Sequence, residues 1–328
     1  MKKNTLIFLL FLVLAACQPR QTTIPTSPAD QLIPIRLPVG YIPNIQFAPL
    51  YVAIDKGFFK DQGLDVSLDY SNEIDSVALV GAGELPFTIA SGEQVLLGRG
   101  SGLPLVYTMA WYQDYPVGVV SLKDKGIASP ADLKGKRVGI PMLSGASYIG
   151  FNALLKSAGL TEKDVSLDTI GFTQLESLVT GRDDAVVVYA SNEPLQLEAK
   201  GYDINLLRTA DYNNLVGNGL VTNEELIKKD PELVRKMVAA TLQGLEYTIN
   251  NPDEAYATSR KYVENLAQDD PVQKNILASS IEMWKTDRPG YSQLQLWENM
   301  QQVLIGMGLL EKPLDLARVF TNDYLPGN

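Results

Sequence analysis

The sequence predicts an α/β fold with two lobes, each a mostly parallel sheet flanked by helices, and with two chain crossings between the lobes. Three observations favour this fold. Short apolar runs that are typical of buried strands alternate with helical segments along most of the chain. An aromatic segment at a strand end, 110–116, and a segment without periodicity, 209–219, interrupt that alternation. After residue 222 the sequence is helical, which indicates that the chain returns to the lobe in which it began.

The first unit of this fold lies at residues 33–68. The apolar run Ile33–Val39 predicts a strand that stops at Gly40. Apolar side chains between Phe47 and Ile54 recur with the spacing of one helix face, and Val66 opens a second strand. A loop that follows such a strand, above a helix N-terminus, is where small ligands bind in open α/β sheets.

The later elements follow in chain order. Further strands are predicted at 87–90, 104–109, 117–121, 135–141, 165–170, 185–189, 204–207 and 219–222. Helices are predicted between these strands. Three later helices are predicted to begin at Asp230-Pro231, Asn251-Pro252 and Asp270-Pro271, because proline is favoured at the first helical position. The two crossings place lobe 1 at residues 33–112 plus 216–328, and lobe 2 at residues 113–215.

The N-terminal segment predicts export. Residues 1–16 combine two lysines, an apolar stretch and small residues before Cys17, which are the features of a cleaved signal peptide. Leu14-Ala15-Ala16-Cys17 resembles the lipobox of bacterial lipoproteins, in which the cysteine becomes the lipidated N-terminus. We therefore expect a lipid anchor on Cys17, a flexible tether at 17–32 and a position on the extracytoplasmic face of the cell membrane. The alternative is a plain signal peptide with an incidental cysteine.

The composition excludes several classes of function. The chain has 38 acidic and 28 basic residues and a net charge of −10, which disfavours nucleic-acid binding. It has no histidine and one cysteine. Ser–His and Cys–His nucleophile pairs are therefore absent, as are sites built from imidazole and thiolate metal ligands. Carboxylate chemistry remains possible, and we expect no cofactor and no bound metal.

Candidate ligand-binding residues lie in five loops at predicted strand ends, which would face each other across a cleft. The loops are 40–47, 91–94, 111–116, 144–148 and 189–193. The candidates are the aromatic residues Tyr41, Phe47, Trp111, Tyr112, Tyr148 and Tyr189, and the polar residues Asn44, Gln46, Ser91, Glu93, Ser144, Ser147, Asn192 and Glu193. No loop contains lysine or arginine, which favours a small, flat, neutral ligand. Backbone N–H groups at 144–147 leave an anion possible.

Some of these residues have a structural alternative. Tyr148 could belong to the core instead of a ligand wall, and Trp284, in a later apolar stripe, is expected in the core. Glu193 is either the N-terminal charge of a helix or a ligand acceptor. Two rival functions stay open: an enzyme that uses Glu93 and Glu193, and a structural lipoprotein without a small ligand.

Four segments carry a resemblance to a known family: the lipobox, GYIPNIQFAPLYVAIDKGFFKDQGLDV (40–66), LPFTIASGEQVL (85–96) and YASNEP (189–194). Together they resemble solute-binding lipoproteins of ABC importers, in the branch that includes nitrate, sulfonate and thiamine-pyrimidine-precursor binders. The resemblance implies a periplasmic-binding-protein-like clamp of type II that closes on one small molecule. It also implies delivery to a membrane permease, and we expect a monomer.

The resemblance also bears on the ligand. GYIPNIQFAPLYVA, ASGEQVLL, GASYIGFNALL and YASNEP are most similar to lipoproteins of this branch assigned to riboflavin import. The pyrimidine-precursor binders carry a glutamate and aromatic residues in the segment that matches Tyr189, Asn192 and Glu193, which implies a ligand role for them. Riboflavin is therefore the leading expectation. Formylaminopyrimidine or hydroxymethylpyrimidine is the alternative, followed by an aliphatic sulfonate or nitrate.

A fungal branch of the same family is enzymatic. Its members make the thiamine pyrimidine with an active-site histidine and a cysteine-rich iron site. This chain departs from that pattern, since it has no histidine and a single cysteine. We therefore expect a binding protein and not an enzyme.

Overall fold

The structure is a computed structural model that describes residues 32–327. The predicted signal peptide (1–16), the predicted lipidation site Cys17 and all but the last residue of the predicted tether lie outside these residues. Between residues 32 and 327, no helix combines the length and the apolar character that crossing a bilayer requires.

Ten strands and twelve α-helices form within the described residues. The strands are β1 (Ile33–Pro38), β2 (Leu64–Asp69), β3 (Thr88–Ser91), β4 (Leu105–Ala110), β5 (Val117–Leu122), β6 (Arg137–Ile140), β7 (Ser166–Thr169), β8 (Ala185–Tyr189), β9 (Ile204–Arg208) and β10 (Asn218–Asn223). The helices are α1 (Ala48–Asp55), α2 (Phe58–Asp61), α3 (Glu73–Gly81), α4 (Gly92–Gly100), α5 (Gly145–Ser157), α6 (Gln174–Val179), α7 (Glu193–Ala199), α8 (Glu224–Lys229), α9 (Pro231–Asn250), α10 (Pro252–Ser259), α11 (Pro271–Trp284) and α12 (Leu294–Gly306).

The strands form three sheets. β1 pairs with β2, and β3, β10 and β4 form a three-stranded sheet in that order; we call these two the N-terminal sheets. The central sheet has five strands in the order β7-β6-β8-β5-β9. The chain passes from the N-terminal sheets to the central sheet after β4 and returns after β9. The predicted α/β fold with two crossings is therefore confirmed.

The sheets are mixed: within each sheet the strands run in one direction except β5 and β10. β1 and β2 are parallel, as are β6 and its neighbours β7 and β8, but β5 and β10 run antiparallel to both of their neighbours. β5 and β10 are the strands that directly follow the crossings. A chain that crosses at the carboxyl ends of the strands enters the next sheet at that same edge, so its first strand must run away from it.

Helix starts follow the proline pattern of the sequence. α9, α10 and α11 begin at Pro231, Pro252 and Pro271, as predicted. The Asp230 side chain accepts a hydrogen bond from the Leu233 N–H at 3.0 Å, which satisfies a backbone donor that has no partner inside the helix.

α9 packs closely against α1. A Cβ atom at Gly244 would lie 2.4 Å from the Pro49 carbonyl oxygen, so only glycine permits this approach. Trp284, at the end of α11, is 1% exposed and belongs to the apolar core, as expected. A second core cluster continues from the N-terminal sheets into the central sheet, with Leu105 and Tyr107 on one side and Val119 and Val187 on the other.

Candidate functional site

A cavity lies between the strand ends of the N-terminal sheets and those of the central sheet. Its volume, with its open mouth included, is about 930 Å³. One wall comes from the segments after β1, β2 and β4, and the other from the segments after β6, β7 and β8. This is the place where open α/β sheets bind ligands.

The cavity brings together ten of the fourteen candidate residues. They are Tyr41, Gln46, Phe47, Trp111, Tyr112, Ser144, Ser147, Tyr189, Asn192 and Glu193. Four of the five predicted loops therefore reach one site, although their sequence separation exceeds a hundred residues. Ligand contact by each of these side chains stays a prediction.

Four candidates lie outside the cavity lining. Asn44 caps the short helical turn before α1, where its side chain accepts from the Gln46 N–H at 2.9 Å. Ser91 and Glu93 are fully buried behind the wall. The Tyr148 hydroxyl donates to Glu162, and its ring borders a separate surface groove. These four side chains are bonded to the protein itself and lie outside the cavity lining, so the structure does not bring them to the site, and ligand contact by them stays a prediction.

Other lining residues were not among the candidates. They include Glu73, Phe172, Gln174 and Asn218. Glu73 and Phe172 follow the ends of the parallel strands β2 and β7, so the strand-end rule that selected the other loops would have found them. Asn218 opens β10, but the sequence places this residue in the return crossing, 209–219.

Two contacts join the walls across the cavity. The Gln46 side-chain amide donates to the Ser191 hydroxyl at 2.9 Å. The Tyr41 and Phe172 rings meet edge to face with centroids 5.0 Å apart, a favourable aromatic geometry. Phe172 is 52% exposed, so this ring contact lies at the solvent-facing end of the cavity.

The aromatic residues of the lining differ in accessibility. Trp111 is 2% exposed and packs in the core, with its ring centroid 6.0 Å from that of Trp284. Tyr112 is buried beside it. Tyr41, Phe47 and Tyr189 are only partly buried and present more of their rings to the cavity. Ring stacking on a ligand is therefore better supported for these three than for Trp111.

Glu193 is tied to the end of β8. Its carboxylate accepts from the Tyr189 N–H and from the Asn192 amide, each at 3.0 Å. Burial raises the pKa of Glu193 to about 7, against the opposing effect of these hydrogen bonds. Burial, and then the charge of Glu193, raise the pKa of Tyr41 to about 12. Glu193 therefore has the structural role at a helix start, and it also borders the cavity.

Three comparisons with known proteins bear on this arrangement. A sequence profile of the NMT1/THI5-like family matches residues 44–255. The chain is 37% identical to the riboflavin-binding protein RibY of Chloroflexus aurantiacus, over 98% of this chain and 97% of that protein. It is 30% identical to the formylaminopyrimidine-binding protein of Halalkalibacterium halodurans, over 96% of this chain and 97% of that protein. The chain belongs to the NMT1/THI5-like family.

The family also contains more distant relatives that are named as enzymes. One is a 4-amino-5-hydroxymethyl-2-methylpyrimidine phosphate synthase of Saccharomyces cerevisiae, 25% identical over 69% of each chain. Among solved structures, the alkanesulfonate-binding protein SsuA of Xanthomonas axonopodis superposes with a TM-score of 0.70 at 15% identity, over 89% of this chain and 99% of that one. The structural likeness confirms the solute-binding-protein fold of this family member.

The charges of the cavity are entirely negative. Its lining includes Glu73 and Glu193 but no lysine and no arginine. Within residues 32–327, no cluster of three or more potential ligand side chains is arranged to hold a metal ion. In this family member, the site therefore offers hydrogen-bond acceptors, amides, hydroxyls and rings.

Glu73 and Glu93 flank Ser91. The Ser91 hydroxyl lies 2.6 Å from Glu73 Oε1 and also contacts Glu93 Oε1. A hydroxyl has one proton to donate, so the second contact requires a proton on a carboxyl group. Burial raises the pKa of Glu73, against the opposing effect of the two hydrogen bonds from Ser91. Burial and then repulsion from Glu73 raise the pKa of Glu93 to about 8. We therefore place the proton on Glu93, which donates to Ser91, while Ser91 donates to an ionised Glu73.

Because Glu93 is protonated in the folded chain, we expect the stability of the fold to depend on pH. Its pKa is about 8 in the fold against an ordinary value of 4.5, so the folded chain holds an extra proton between these values. Its contribution to the free energy of unfolding is largest below the lower pKa and is lost as the pH rises through the upper one. We expect Glu93→Gln to raise the melting temperature relative to the parent chain at about pH 8.5 but not at about pH 5.

Circular-dichroism melts of both chains at the two pH values measure this difference. A constant gap between the melting temperatures would contradict the assignment, because it would mean that Glu93 has the same charge at both pH values.

Proposed function

We propose that this chain is the substrate-binding lipoprotein of an ABC importer for riboflavin, which it binds outside the cytoplasm and delivers to the membrane permease. The observation that carries the proposal is a cavity with aromatic and amide walls and no basic side chain, in a chain 37% identical to a riboflavin-binding protein over almost its whole length. Riboflavin is flat and uncharged, with a uracil-like edge and a polyol tail, and so complements these walls.

The ten candidate residues in the cavity lining are proposed as its ligand contacts. Tyr41, Phe47 and Tyr189 would stack against the ring system, while Gln46 and Asn192 would hydrogen bond to its polar edge. Closure buries the ligand and excludes water. We propose that residues 113–215 close as one lobe against residues 33–112 plus 216–328, with the Gln46–Ser191 and Tyr41–Phe172 contacts forming in the closed state.

We further propose that the protein acts as a monomer without catalysis. The chain has no histidine and a single cysteine, which removes the usual nucleophile pairs. A lipid on Cys17 would hold it at the membrane beside the permease. Recovery of unchanged riboflavin after incubation supports the absence of catalysis. Incorporation of labelled fatty acid into the parent chain, and none into Cys17→Ala, supports the anchor; equal labelling would contradict it.

Titration of riboflavin with the protein tests the function. We expect quenching of the flavin fluorescence at micromolar protein, because stacked aromatic side chains quench an excited flavin. A calorimetric titration with formylaminopyrimidine tests the second candidate ligand, which the 30% identical relative supports. Absence of quenching together with tight binding of formylaminopyrimidine would overturn the riboflavin assignment in favour of that ligand.

A further inference from the structure

Glu73 places a carboxylate in the cavity wall at the first residue of α3. Space for it depends on Gly40, where β1 turns into the next loop. Gly40 has a φ of +75°, a backbone angle that residues other than glycine rarely adopt. A Cβ atom at this position would lie 3.1 Å from the Glu73 Cβ. The backbone beside Glu73 is therefore shaped around this side chain.

Ser91 holds one oxygen of this carboxylate and leaves the other free. The Ser91 N–H and hydroxyl both donate to Glu73 Oε1, each at 2.6 Å. Glu73 Oε2 makes no hydrogen bond to any residue between 32 and 327. A carboxylate oxygen has two acceptor sites, so a side chain that lines a small-molecule cavity keeps an unused acceptor.

The surroundings of Glu73 are hydroxyl and amide groups. Asn218 pairs with Ser91 in the ladder of β10 and β3, and its side-chain oxygen accepts from the Tyr189 hydroxyl at 3.4 Å. The rings of Tyr41 and Phe172 contact each other at the solvent-facing end of the cavity. The charge of Glu193 acts on the Tyr41 hydroxyl. Glu73 therefore lies in the cavity wall among polar groups, beside the Tyr189 hydroxyl and the Asn218 amide.

We propose that Glu73 is a specificity-determining residue that accepts a hydrogen bond from a hydroxyl group on the polyol tail of the flavin. This inference rests on the proposed function and adds the part of the ligand that Glu73 recognises. A carboxylate only accepts hydrogen bonds. The polyol tail offers several hydroxyl donors, whereas the uracil-like edge offers a single N–H between two carbonyl oxygens that the carboxylate would repel. Ser91 is the positioning residue, since it fixes the orientation of the carboxylate.

The test compares riboflavin with lumiflavin, which has the same ring system but a methyl group in place of the polyol. Dissociation constants come from fluorescence quenching with the parent chain, Glu73→Gln, Ser91→Ala and Asp75→Asn. Asp75 is the matched control, because it lies in the same first turn of α3 and is exposed outside the cavity. We expect Glu73→Gln to weaken riboflavin about tenfold, since a hydrogen bond to a charged group is lost.

The same variant should leave lumiflavin unchanged. Ser91→Ala should weaken riboflavin by a smaller factor, and Asp75→Asn should change neither ligand. An equal loss for both flavins, or no loss for either, would overturn the proposal and leave Glu73 with the structural role of joining α3 to β3. A parent chain that binds lumiflavin as tightly as riboflavin would also overturn it. Failure of the parent chain to bind either flavin would instead contradict the proposed function, and melting curves of each variant separate lost binding from lost folding.

Discussion

Trp111→Ala is expected to lower the free energy of unfolding by about 3–5 kcal/mol, because it removes a large aromatic side chain from a packed core. Trp111 is 2% exposed. Its ring centroid lies 6.1 Å from that of Phe47, 6.2 Å from that of Tyr112 and 6.0 Å from that of Trp284. The cavity left by alanine would therefore disturb several neighbouring rings, and binding would weaken as a consequence of the damaged fold.

Phe47→Ala is the matched control for this prediction. Phe47 is a neighbour of Trp111 but is only partly buried at the cavity wall. Its removal should weaken the binding free energy for riboflavin by about 1–3 kcal/mol. The free energy of unfolding should fall less than it does in Trp111→Ala. Urea unfolding of the apo proteins and flavin titration measure the two quantities. The prediction is wrong if Trp111→Ala unfolds like the parent chain while it loses the ligand, since Trp111 would then act mainly as a ligand wall.

The placement of Trp111 illustrates where sequence patterns stop being informative. Adjacent residues in a strand point to opposite faces, and this rule alone predicts that one of Trp111 and Tyr112 faces the cleft. β4 ends at Ala110, however, and both side chains are buried. Beyond the strand end the alternation no longer applies, and packing against Trp284 from α11 decides their orientation. A contact across such a sequence distance leaves no local pattern.

The elements themselves were largely predictable because local rules govern them. Proline after aspartate or asparagine marked the starts of α9, α10 and α11, and continuous apolar runs marked the buried strands. The direction of β5 and β10 was not predictable from these runs, because parallel and antiparallel neighbours bury the same apolar side chains. It follows instead from the edge at which each crossing enters a sheet.

The candidate site was predictable to the extent that strand ends converge. Ten residues from four strand-end loops line one cavity. Glu73 follows the end of β2, so the same rule applied to that strand finds it, whereas its hydrogen bond from Ser91 joins residues that are distant in sequence and leaves no local pattern. Asn44 shows the opposite case, since an amide in a glycine- and proline-rich loop also serves well as a helix cap.

Riboflavin 5′-phosphate is expected to bind about 100-fold more weakly than riboflavin, or worse, because a phosphate would lose its hydration without gaining a cationic partner. The cavity lining has no lysine or arginine, and its charged groups are Glu73 and Glu193. If Glu73 receives the polyol tail, a phosphate at the end of that tail also approaches a negative charge. Repulsion then adds to the cost of dehydration.

Competition titrations of the parent chain with riboflavin and its phosphate measure the ratio of the two dissociation constants. Ser147→Lys is an informative variant, because Ser147 lines the cavity in the first turn of α5. A lysine there would pair with the phosphate, so the ratio should fall relative to the parent chain. Ser157→Lys, at the opposite end of the same helix and outside the cavity lining, is the control and should leave the ratio unchanged.

Equal affinity for riboflavin and riboflavin 5′-phosphate would contradict this prediction and would point to the N-terminus of α5. Ser144 precedes α5, but its side chain makes no cap hydrogen bond to the helix. The first N–H groups of α5 could therefore donate hydrogen bonds to an anion. Tight binding of the phosphate by the parent chain would therefore mean that the N-terminus of α5 supplies the missing positive potential. The ligand class would then be set by this helix end instead of by the absence of basic side chains.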